Sequence, residues 1–114
     1  MGDGKYLRDF LYVDDVSDAM IASIDKKSDG MLFNVASAKG TSFVELAETV
    51  IKQHGSGKFD FAKYPKGMQV LEPGSFVADI GRITSTLGWK PETELEEGLN
   101  LTIQFYKENK QHYW

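Results

Sequence analysis

Apolar residues arrive along this chain in two rhythms. Short dense runs alternate with longer stretches in which apolar positions recur every third or fourth residue. The first dense run lies within Arg8–Val13, where Phe10, Leu11, Tyr12 and Val13 predict a short strand. Val16, Ala19, Met20, Ser23 and Ile24 then recur at helical spacing. Asp14 or Asp15 is placed to cap the first free amides of that helix, and Asp29-Gly30 signals a turn. Met31–Val35 predicts a second strand. Ser42 and Glu45 have the spacing of a capping box. Behind them Phe43, Leu46, Ala47, Val50 and Ile51 form one apolar face, and Gly55 suits the left-handed position after a helix. Lys58–Tyr64 predicts a third strand with Phe59 and Phe61 on one face. Pro65–Gly74 is irregular. Asp79 can cap a short helix carrying Ile80, Ile83 and Leu87, with Gly88 as its stop. Thr93 and Glu96 offer a second capping box, and Leu95, Leu99, Thr102, Ile103 and Tyr106 share one side of a last helix.

The predicted order is β-α-β-α-β-α-α. Strands alternating with helices favour an α/β layer with mostly parallel short strands. The 114 residues read as a single domain, 1–114, with no inner linker.

Composition narrows the function. Thirteen basic against seventeen acidic residues give a net charge of −4, which argues against a nucleic-acid surface or an anionic membrane as partner. The absence of cysteine removes disulfides and cysteine metal sites. No apolar stretch approaches the roughly 20 residues of a membrane span, and residues 1–5 lack the pattern of a targeting segment. The expectation is a cytoplasmic protein. His54 and His112 stand outside any ligand-spaced motif, so no metal is expected. Asp14, Asp15 and Asp18 lack the alternation and central glycine of a calcium loop and suit capping better. Ala38-Lys39-Gly40-Thr41 has the wrong order for a phosphate loop. Tyr106 and Lys110 share the spacing of a tyrosine–lysine base pair, but an i, i+4 contact on a surface helix is the plainer reading.

Arg8 is the strongest candidate for chemistry. A guanidinium offers a planar fork of donors matched to phosphate oxygens. The plainer alternative pairs it with Asp9 or another carboxylate.

Four segments in register carry a resemblance. They are Arg8–Val16, which reads R-D-F-x-Y-V-x-D-V; Phe33-Asn34-Val35-Ala36-Ser37; the capped helix start Thr41–Ala47; and Ala78-Asp79 followed by Leu87-Gly88-Trp89-Lys90-Pro91 and Leu95–Leu99. Together they resemble the C-terminal, substrate-binding part of the NAD-dependent nucleotide-sugar epimerases and dehydratases, the extended short-chain dehydrogenases. The resemblance implies that Arg8 binds the diphosphate of a nucleoside diphosphate sugar. It implies that Phe43 packs on the base or ribose, although Phe43 also suits the apolar face of its helix. At the place of the family's second phosphate-binding arginine this chain has Lys66, Gln69 and Glu72 and no arginine. Lys66 would then supply charge, Gln69 an amide, and Glu72 an acceptor for ribose hydroxyls.

The family's glycine-rich dinucleotide turn has no counterpart here, since Gly2-Asp3-Gly4 has no strand before it and no helix directly after it. The resemblance therefore implies NAD for a full-length enzyme, none bound by this chain, and no catalytic residue within it. The alternative is a stand-alone, non-enzymatic interaction module. Strand edges bared by a missing cofactor domain would in either case favour a homodimer.

Overall fold

The computed structural model describes residues 2–65, 67 and 73–113. Its elements are β1 (Leu7–Asp9), α1 (Val13–Ala22), β2 (Gly40–Ser42), α2 (Phe43–His54), α3 (Gly81–Leu87) and α4 (Leu95–Glu108), with short 3₁₀ turns at Lys26–Ser28 and Lys110–His112. Among the described residues this is a small α/β arrangement of four helices and one two-stranded sheet.

The strands differ from the expected set. β1 pairs with β2 antiparallel, in the register Leu7↔Ser42, Arg8↔Thr41 and Asp9↔Gly40. The expected parallel strand at Met31–Val35 is extended backbone without a ladder partner among the described residues. The third expected strand, Lys58–Tyr64, is likewise no strand. A bond from the Gly2 amide to the Ala62 carbonyl, 2.9 Å, ties it down, and Phe59 and Phe61 meet edge to face at 5.7 Å. Apolar alternation describes both segments correctly, but a strand also needs a neighbour for its backbone groups.

Helix ends obey local chemistry where they are free to do so. The Ser42 side chain accepts from the Glu45 amide, and Glu45 accepts from the Ser42 amide, so α2 opens with the expected capping box. Gly55 (φ 82°) and Gly88 (φ 72°) take the left-handed positions that end α2 and α3. Asp79 accepts from the Gly81 amide at 2.7 Å, at the start of α3.

Two caps are overridden by tertiary structure. No side chain caps α1. Asp15 turns inward instead, 4% exposed, and accepts from the amides of Glu92 (3.0 Å) and Thr93 (3.1 Å). Its own carbonyl accepts from the Trp89 indole at 3.2 Å. With the Thr93 amide claimed by Asp15, the Thr93–Glu96 box does not form, and α4 starts after Glu94 without a side-chain cap.

The core is small: Ala19, Ile83 and Trp89, flanked by Leu11, Ala22, Phe33, Ile80 and Leu87. α1 therefore presents Asp15, Ala19 and Ala22 inward. Met20 and Ile24, expected on the buried face, are exposed. The radius of gyration is 16.9 Å and the extents are 47 × 39 × 22 Å, against about 13 Å for a compact chain of this length. α2 packs on α4 at the other end, where Tyr12, Leu46, Leu95, Leu99 and Thr102 line a small cavity.

Candidate functional site

β1 and α2 place the two leading site residues together. Arg8 sits in the middle of β1, opposite Thr41. Phe43 is the first residue of α2, directly after its cap. The Arg8 guanidinium carbon lies 5.5 Å from the Phe43 ring centroid, a cation–π distance. Phe10, two residues along and so on the same face of the strand as Arg8, meets Phe43 edge to face at 6.2 Å. Arg8 Nη1 also donates to the carbonyls of Leu7 (2.8 Å) and Gly74 (2.5 Å). The arginine is half-buried, and Phe43 keeps 43% of its surface exposed. The pair is held in place and still faces solvent.

Gly74 and its neighbours were not legible as partners of β1. The Leu7 amide donates to Ser75 Oγ at 3.0 Å, and the Phe76 amide to the Leu7 carbonyl at 3.0 Å. The chain leaving the irregular stretch therefore runs along the free edge of β1. Lys66, Gln69 and Glu72, the other candidates, lie outside the described residues.

Asp9 anchors the opposite side of the strand. Its carboxylate accepts from the Ser37 amide (2.7 Å) and hydroxyl (2.5 Å), the Ala38 amide (3.1 Å) and the Ala78 amide (3.2 Å). Ala38 has φ 58°, the left-handed region that a side chain disfavours. Asp9 is thus a structural clamp that fixes the loop entering β2.

Beyond Phe10 the β2–α4 seam opens into a cleft of about 430 Å³, whose lining includes Phe10, Lys39, Thr41, Glu45 and Thr93. Lys39 Nζ reaches both carboxylate oxygens of Glu94 at 2.6 Å across it. Both side chains are well exposed, so this pair holds the rim weakly. Glu45, on the lining of this cleft, has a perturbed carboxyl. Hydrogen bonds from the Ser42 backbone and then its side chain hold that carboxyl below the ordinary glutamate value.

The remaining candidates fall elsewhere. Tyr106 belongs to an edge-to-face cluster with Phe105 and Tyr113 at the far end of α4. His54 Nδ1 lies 3.0 Å from Ser56 Oγ. Among the described residues no group of three or more His, Cys, Asp or Glu is arranged to hold a metal, and no helix is long and apolar enough to cross a membrane.

Gly2 and Gly4 do not form a dinucleotide-binding turn. Binding a dinucleotide's pyrophosphate calls for a strand, a glycine turn and a helix N-terminus in sequence. Here Gly2 and Gly4 precede β1, and a Cβ on Gly4 would stand 2.7 Å from Val44. These glycines are packed against neighbouring side chains.

Residues 1–102 match the family model described as GDP-mannose 4,6 dehydratase. The chain belongs to that family, the NAD-dependent nucleotide-sugar epimerases and dehydratases. It is 34% identical over 112 residues to the UDP-N-acetyl-alpha-D-glucosaminuronate decarboxylase of Bacillus cytotoxicus, covering 94% of this chain and 34% of that protein. Among solved structures it resembles the UDP-glucose 4-epimerase of Thermotoga maritima with UDP-glucose. That match has a TM-score of 0.85 and 33% identity, and covers 96% of this chain and 34% of the other. It also resembles the UDP-glucuronic acid 4-epimerase of Bacillus cereus in complex with UDP-glucuronic acid and NAD (TM-score 0.81, 27% identity, 96% and 34% covered). The chain thus spans about a third of the length of these relatives.

Proposed function

We propose that this chain, as one domain, is the substrate-binding portion of a longer nucleotide-sugar epimerase or dehydratase. In this reading Arg8 grips the diphosphate and Phe43 lies against the base or ribose. NAD and the catalytic groups belong to the longer protein. The observation that carries the reading is the Arg8–Phe43 pair, 5.5 Å apart, stacked and half-exposed at the strand–helix seam. A guanidinium is a planar fork of donors whose geometry matches phosphate oxygens, and the aromatic face beside it suits a base or ribose. Family membership and the UDP-sugars named for the relatives support the same assignment. Lys66, Gln69 and Glu72 stay with this proposal as further contacts.

The test is an amide NMR titration with UDP-glucose. Shifts clustered at Arg8, Thr41 and Phe43, lost in Arg8→Ala, are the expected result. A folded spectrum without shifts would count against the assignment. Exposed apolar residues on α1 favour a second reading, a self-associating interaction module, which light scattering would reveal as a dimer.

A further inference from the structure

Both backbone groups of Leu7 meet the segment Gly74–Phe76 rather than β2. The Leu7 carbonyl accepts from the Phe76 amide at 3.0 Å. A ladder would answer that bond with a main-chain carbonyl on the Leu7 amide, and in parallel pairing it would be the carbonyl of Gly74. Here the Leu7 amide donates to Ser75 Oγ instead, at 3.0 Å. The Gly74 carbonyl, on a residue with a left-handed φ of 79°, accepts from Arg8 Nη1 at 2.5 Å. A side-chain hydroxyl has taken a main-chain place, and the carbonyl left over holds the arginine. Arg8 Nη1 also donates to the Leu7 carbonyl at 2.8 Å, so both carbonyls belong to one joint. Main-chain rungs form with any residue but proline, whereas this one depends on which side chain stands at position 75.

Resting on the proposed function, in which Arg8 grips the diphosphate, we propose that Ser75 is a positioning residue for that anion. Its hydroxyl occupies the Leu7 amide and so leaves the Gly74 carbonyl to Arg8. That carbonyl holds the guanidinium beside Phe43, 5.5 Å from the ring centroid. An arginine has many rotamers, and a held guanidinium loses less side-chain freedom on binding than a loose one. Ser75 acts through Gly74 and Arg8, not by a contact of its own with the anion. The serine is exposed, and its bond lies outside the Ala19–Ile83–Trp89 core. Removing the hydroxyl should therefore disturb the arginine more than the fold. In Ser75→Ala the Leu7 amide takes back the Gly74 carbonyl, the segment stays on β1, and Arg8 loses that acceptor.

Wild type, Ser75→Ala and Ser75→Thr are compared by three readings. These are the Arg8 Nε–Hε signal of the ligand-free chain in nitrogen-15 NMR, the urea midpoint, and UDP-glucose affinity from amide shifts. In Ser75→Ala the Arg8 and Leu7 signals are expected to move and the midpoint to stay with the wild type. UDP-glucose binding should weaken about fivefold, the size of one lost neutral hydrogen bond. Ser75→Thr keeps the hydroxyl and should restore both the Arg8 signal and the affinity. An Arg8 signal and an affinity that Ser75→Ala leaves unchanged would overturn the proposal. So would a lowered midpoint with shifts spread over the whole chain, because the bond would then serve the fold alone. A wild type that ignores UDP-glucose would overturn the diphosphate reading and this role with it, even where the Arg8 signal moved. Normal wild-type binding beside an unmoved Arg8 signal would overturn the role of Ser75 alone, so the two failures are told apart.

Discussion

Two aspartates and one arginine in the same short stretch meet opposite fates. Asp9 and Asp15 point into the molecule and collect backbone amides from segments far along the chain. Arg8, beside Asp9, points across the seam to Phe43 and Gly74. The inner region is closed: Asp15 is 4% exposed and Ile83 fully buried. The outer region is anchored but open. The contrast separates two reasons for placing charge on a short strand and the helix after it. A carboxylate that satisfies several amides organises the fold; a half-buried cation beside an aromatic ring is where the proposed reading puts the diphosphate.

The comparison breaks most visibly from the inside. Ile83→Ala should destabilise the chain by about 3 kcal/mol, because the site has no exposed surface through which the cavity can close. Urea denaturation would show the midpoint shift, and a change near zero would mean that the Ala19–Ile83–Trp89 cluster is not the centre of the fold. Asp15→Ala should cost about 2 kcal/mol by leaving the Glu92 and Thr93 amides without their acceptor. Asp15→Asn, which keeps one carbonyl, should recover part of that loss. If both substitutions were silent, Asp15 would be an exposed cap after all.

Smaller effects sharpen the contrast at the seam. Ser42→Ala should cost about 1 kcal/mol through loss of the α2 cap, measured by thermal melting. The Glu45 carboxyl is held below its ordinary value of 4.5 by the Ser42 hydrogen bonds. A lowered folded value means the stabilisation is complete above the unfolded value and disappears as pH falls through the folded one. Stability of the wild type should therefore decline below about pH 4.5 slightly more steeply than that of Glu45→Gln. Identical acid limbs would remove the capping carboxylate from the account.

What the sequence made legible follows the range of the interactions. The α2 capping box and the Gly55 and Gly88 stops are set within a few residues, and all were readable. The four helices also followed from their apolar spacing, and the R-D-F-x-Y-V-x-D-V run made Arg8 a candidate. The roles of Asp9 and Asp15 were not readable, because their partners lie 28 to 78 positions away. The same distance hid the loss of the Thr93 cap. The strands at Met31–Val35 and Lys58–Tyr64 were over-read, since apolar alternation reports a face and says nothing about a neighbouring edge. At the site, the Arg8–Phe43 contact depends on the β1–β2 register. The Thr41-Ser42 step into the capping box was the signal that could have placed β2 at Gly40–Ser42.

The most direct measurement crosses the two regions in one experiment: UDP-glucose affinity by amide NMR and urea midpoint, each for Arg8→Ala and Asp15→Asn. The account predicts that Arg8→Ala abolishes the ligand-induced shifts while moving the midpoint little, and that Asp15→Asn lowers the midpoint while the folded fraction still binds. Arg8→Ala that unfolds the chain, or that binds UDP-glucose as the wild type does, would contradict the division between a closed inner frame and an open anion-gripping seam.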